Sequence, residues 1–157
     1  MIRDPEYDAW LRTVPPDITE DTLWRMTAYR YALYAMSTAQ ADVPLFERCR
    51  ETRPHTDQLL RAVGAISANL EEGYGRSGGA DRAHFYEYAL STAREARGWY
   101  YKCARALPAE TVAARMNVLT QIIRMLTKVV PDVRSSKTRW RTKRDKLDVD
   151  APVDPNE

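Results

Sequence analysis

Leu59, Val63, Ile66 and Leu70 recur at i, i+4, i+7 and i+11, a spacing that sets four apolar side chains on one side of a helix. Gly73 and Gly75 follow directly. Glycine reaches the left-handed conformation without a Cβ clash, so the pair is expected to stop the helix. A helix with one apolar seam and a firm end is built to pack on other helices.

The remaining chain offers partners for it. Only six glycines are spread through 157 residues, and long stretches lack strand-like alternation. An all-α, single-domain fold with a sizeable core follows. Pro5, Pro15 and Pro16 mark residues 1–16 as an N-terminal arm, from which Tyr7, Trp10 and Leu11 can dock one short turn. Asp17 and Glu20 read as a capping box opening a first helix over residues 18–39. Leu23, Met26, Leu33 and Met36 form one stripe on it, and Trp24, Ala28, Tyr31 and Ala35 an adjacent one. Tyr29, Tyr31 and Tyr34 fit either the core or a base-stacking platform. Residues 41–54 read as a solvated connection bracketed by Pro44 and Pro54.

Helix two is expected to run from about His55 to Gly73. Asn69 and Glu72 share a face near its end and are expected to bond the incoming chain of helix three. Helix three is placed over residues 80–107, with Phe85, Ala89, Ala93, Ala96, Tyr100, Cys103 and Leu107 as its core stripe. Helix four starts at Pro108 and is expected to end at Pro131. It holds a heptad seam through Val112, Met116, Leu119, Ile123, Leu126 and Val130.

No apolar run approaches the roughly 18 residues that a membrane span requires, and Met1–Glu6 lacks the apolar region of a secretory signal. We expect a cytoplasmic protein with reduced thiols, in which Cys49 and Cys103 are packing residues. Asp81 and His84 make half of a carboxylate–histidine set, without the further units that a di-iron bundle needs. No catalytic triad or cofactor motif is present, so neither a metal, a cofactor nor an enzymatic activity is expected.

Gln58, Arg61, Ala62, Ile66, Asn69, Leu70, Glu72, Gly73, Tyr74, Gly75 and Arg76 resemble the signature of a family of four-helix-bundle proteins. Those proteins are encoded in intervening sequences of bacterial 23S ribosomal RNA genes, and their pattern runs Ser-Ile-Pro-x-Asn-Ile-Ala-Glu-Gly-x-Gly-Arg. Ala65 stands where the family usually has Ser, Ser67 where it has Pro, and Trp99 where its third helix commonly has Glu. The resemblance implies an antiparallel up-down four-helix bundle over residues 17–131, with Asn69, Glu72, Gly73 and Gly75 as its structural signature. The accessory variability determinants of diversity-generating retroelements share that fold. Likeness to them implies a pentameric homo-oligomer that associates with a reverse transcriptase and with nucleic acid.

Three surfaces bear on function. Arg94, Arg97, Tyr101 and Arg105 recur along helix three as a cationic stripe with an aromatic in it, flanked by Lys102. Residues 132–157 read as a flexible tail, basic and then acidic. Its basic part holds Arg134, Lys137, Arg139, Trp140, Arg141, Lys143, Arg144 and Lys146, with Asp145 the one acid. Cations around an aromatic suit phosphates and a stacked base, so both surfaces are candidates for RNA or DNA. Val118, Ile122, Met125 and Val129 form a second apolar stripe on helix four. One stripe suffices within a chain, so this one is expected to bury against another copy. The competing reading is a homo-oligomeric protein-interaction scaffold without nucleic-acid binding.

Overall fold

The computed structural model describes residues 5–135, and every regular element among them is helical. Two short helices, α1 (Pro5–Leu11) and α2 (Pro16–Thr19), precede four long ones. These are α3 (Thr27–Arg48), α4 (Thr56–Tyr74), α5 (Gly79–Lys102) and α6 (Ala109–Ser135). Each long helix packs on the next, and α3 closes on α6. Met36 against Gly64 sets α3 antiparallel to α4 when taken with the Tyr29–Glu71 hydrogen bond of 3.0 Å. Arg97 with Thr120 and Glu87 with Arg134 do the same for α5 and α6.

The seam on α4 is fully enclosed: Leu59, Val63, Ile66 and Leu70 have no exposed surface. Opposite it, Ala83, Ala89, Ala93 and Ala96 of α5 are equally closed off, so small side chains let the helices approach. Phe85 is only half-buried, and Tyr86 takes the core place expected of it.

Gly73 and Gly75 act differently from the expected left-handed stop. No described residue has a positive φ, and Gly75 caps α4 at φ −70° and ψ −12°. Gly73 is needed for proximity instead. A Cβ there would stand 2.7 Å from the Tyr86 ring and 3.0 Å from the Phe85 Cβ.

Three boundaries depart from local expectation. Asp17 caps nothing. Asp21 accepts from the Leu23 N–H at 2.7 Å and caps the 3-10 turn Thr22–Arg25, so α3 opens only at Thr27. Pro44 lies inside α3, which continues to Arg48 through the expected connection. Phe46 is fully buried, and Asp42 is paired, so tertiary contacts on both sides hold a turn that proline disfavours by about 3 kcal/mol. Pro131 likewise lies inside α6. Half-buried Val133 and the Arg134–Glu87 pair at 2.7 Å anchor the turn beyond it.

The tyrosines of α3 are core, not a stacking platform: Tyr29, Tyr31 and Tyr34 are buried. α1 docks on them. Tyr7 meets Tyr31 and Tyr34 edge-on, with ring centroids 5.0 and 5.1 Å away, and Trp10 lies near Trp24 and Tyr34.

Gly73→Ala should destabilise the fold by about 1–3 kcal/mol, because the added methyl forces the Tyr86 ring and the Phe85 Cβ to shift; urea unfolding reads this directly. A second expectation concerns alkaline pH. Burial, and then the hydrogen bond to Glu71, push the Tyr29 phenol up to about 12. The unfolded chain loses that proton near pH 10. The folded chain keeps it, so this contribution is complete below about pH 10 and is lost between about pH 10 and 12. Tyr29→Phe should therefore make the fall in urea midpoint shallower across that window.

Candidate nucleic-acid interface

Arg94, Arg97 and Tyr101 lie on the flank of α5 that faces α6. Arg94 is exposed, and Tyr101 is 73% exposed. Arg97 is half-buried and donates to Thr120 Oγ1 at 3.2 Å, so its stem lies across the joint between the helices. The stripe does not extend as one helical row to residue 105. α5 ends at Lys102, and Arg105 sits in the separate 3-10 turn Ala104–Ala106, 3.9 Å from Glu51. The Lys102 ammonium lies 4.0 Å over the Trp99 ring, on the other flank. Trp99 in turn donates to Glu95 at 3.3 Å.

α6 supplies what the stripe lacks. The Arg97–Thr120 bond and the Glu87–Arg134 pair fix an antiparallel register that sets Arg94 opposite Arg124. Arg124 and Lys128 are both exposed, one turn apart on α6. Arg94, Arg97, Arg124, Lys128 and Arg134 thus gather over the α5–α6 joint, with Glu87 and Asp132 as acids beside them. Arg124 and Lys128 were legible as an i, i+4 pair, but α6 draws attention to its apolar seams. Lys137, Arg139, Trp140, Arg141, Lys143 and Arg144 lie outside the described residues.

The second apolar stripe of α6 needs correction. Val118 and Ile122 are buried within one chain, and Met125 and Val129 are half-buried against the same core. A single copy therefore covers most of this stripe, because α6 packs on both α5 and α3. What remains is an open groove of about 460 Å³ where Val129 and Val133 meet Met26, Tyr74 and Tyr86.

Asn69 and Glu72 do not reach helix three. Asn69 Nδ2 donates to the Ala65 carbonyl of its own helix at 2.7 Å, and exposed Glu72 pairs with Arg76. The α4–α5 joint is made by Arg82, buried to 8% exposure. Its Nε donates to the Gly73 carbonyl at 3.3 Å and its guanidinium to the Arg76 carbonyl at 2.5 Å. One carbonyl in the last turn of α4 and one just beyond its cap are thus bonded from α5. Nothing in the local pattern separates Arg82 from solvated arginines. Arg76 lies over the Phe85 ring at 4.7 Å, and His84 lies against Tyr88 at 4.5 Å.

Among the described residues no group of three or more His, Cys, Asp or Glu side chains is placed to hold a metal ion. No helix among them is long and apolar enough to cross a membrane.

These elements define an all-α protein of four long antiparallel helices with a short docked arm. The 23S rRNA-intervening sequence protein family matches over residues 35–128. That span is more than half of the chain, and the protein belongs to this family. A solved structure described as a protein of unknown function from the S23 ribosomal protein family of Bacteroides thetaiotaomicron VPI-5482 is similar in fold. Its TM-score is 0.61 at 20% identity, covering 66% of this chain and 98% of that one. No curated protein matches.

Proposed function

We propose that this protein is a non-enzymatic nucleic-acid-binding protein that grips phosphates with its α5–α6 face. The observation that carries the reading is the register that places Arg94 beside Arg124. Neither helix alone is strongly basic there, but the pair sets five cations against two acids in a row along the joint, with exposed Tyr101 at one end. Cations at this density neutralise phosphates and release counterions, and an exposed tyrosine offers a face to an unpaired base. Such a grip is salt-sensitive and weakly selective for sequence. The basic residues that follow Arg134 in the sequence, Lys137 to Lys146, belong to the same proposal. Association with a reverse transcriptase, and assembly as a pentamer, rest on the family likeness alone.

A second reading is a self-associating scaffold. The groove between Val129, Val133, Met26, Tyr74 and Tyr86 favours it, because it leaves partly exposed apolar surface beside the buried core.

Fluorescence anisotropy with single-stranded RNA and DNA, across a salt series, tests the first reading. The double variant Arg94→Gln/Arg124→Gln should bind all sequences more weakly, and the log–log salt slope should fall by roughly 1 per lost phosphate contact. Binding and slope unchanged in this variant would remove the α5–α6 face from the proposal. Arg139→Gln tests the tail separately. For the second reading, light scattering at micromolar concentration should give a mass above one chain, reduced by Val129→Lys; a monomer mass for the unaltered chain refutes it.

A further inference from the structure

Cys49 follows the last residue of α3, and Cys103 follows the last residue of α5. Contacts on either side of them run in step. Three residues before each cysteine, the Phe46 and Tyr100 rings lie 6.1 Å apart. Two residues after each, Glu51 and Arg105 stand 3.9 Å apart. Cys49 and Cys103 each lie between these two contacts, which bring the C-terminal ends of α3 and α5 together. Both are free thiols.

Their surroundings differ. Cys103 has no exposed surface, and burial pushes its thiol pKa up. The charge of a Cys49 thiolate raises it further. Cys49 is half-exposed, and its Sγ donates to Glu51 Oε2 at 3.3 Å. One thiol is open to a small oxidant, and the other is shielded from it.

We propose that Cys49 and Cys103 form a hydroperoxide-sensitive pair, in which Cys49 is the attacking thiol and Cys103 the resolving one. The Cys49 thiolate attacks one peroxide oxygen, and the O–O bond breaks. Cys49 becomes a sulfenic acid, and the departing hydroxide takes up a proton as water. Cys103 then gives up its proton and attacks the Cys49 sulfur. The S–O bond breaks, a second water leaves, and the disulfide forms. Two thiols and one hydrogen peroxide thus give one disulfide and two waters, with two electrons passing from sulfur to oxygen. The bridge ties the end of α3 to the end of α5, beside Lys102 and Arg105.

The test is hydrogen peroxide treatment of the full chain, then alkylation and peptide mapping without reductant. The expected product is a Cys49 peptide joined to the Cys103 peptide within one chain, with both free thiols lost together. Cys49→Ser should leave Cys103 reduced at the same dose. Cys103→Ala should accumulate Cys49 sulfenic acid that dimedone traps, while the unaltered chain yields little adduct. Overoxidised Cys49 beside a free Cys103 thiol in the unaltered chain overturns the proposal. So does a bridge only between chains, or no oxidation at a dose that consumes a small-molecule thiol.

Discussion

The Arg115 guanidinium closes on both oxygens of Asp42, at 3.0 and 3.2 Å, in the interior of the molecule. Asp42 is only 4% exposed, and the Tyr100 hydroxyl donates to the same carboxylate at 3.2 Å. Three long helices, α3, α5 and α6, meet at this one acid. Glu6 of α1 adds a fourth element, 3.5 Å from Arg115. Burial works against the Arg115 charge, but the Asp42 hydrogen bonds and charge outweigh it and hold the guanidinium charged. Burial, and then the Asp42 charge, keep the Tyr100 phenol protonated well above its usual range. A buried pair of this kind adds little net stability, since desolvation costs several kcal/mol per ion. Its consequence is registry. Turning or sliding any of the three helices leaves an unpaired charge inside, which is far costlier than a misplaced methyl group.

That registry reaches the surface. With α5 and α6 locked at Tyr100 and Arg115, Arg97 falls on Thr120 and Arg94 falls beside Arg124. The cationic face is therefore a product of two helices held in step, not of one stripe. The fully buried alanines of α5 make the same point on its inner side. Small residues permit close packing, and close packing is what brings basic side chains from neighbouring helices together.

Much of the fold was legible in the residues. The α4 seam, the small-residue stripe of α5 and the docking of Tyr7, Trp10 and Leu11 follow from periodicity and side-chain chemistry. What was illegible has a common cause. Pro44 and Pro131 are strong local breakers, yet each lies where distant contacts hold the turn. Asp17 and Glu20 have the spacing of a capping box, but Asp21 offers the chain a competing cap. Gly73 reads as a conformational stop, whereas its role is to leave room for Tyr86 from another helix. Asn69 and Glu72 look suited to reach α5, but Asn69 bonds within its own helix and Glu72 pairs with Arg76 just past the helix end.

The sequence by itself determined an all-α chain with helices of about the right length and apolar faces, because those depend on neighbours three and four residues away. Its likeness to a family also pointed to the arrangement of those helices. Only the tertiary structure decided which charges are built into the interior and which stay exposed. Asp42, Arg82 and Arg115 carry no local mark that separates them from Arg94, Arg124 or Lys128. The difference lies in what stands opposite each across a helix joint, and that is set by long-range packing which no short window of sequence encodes.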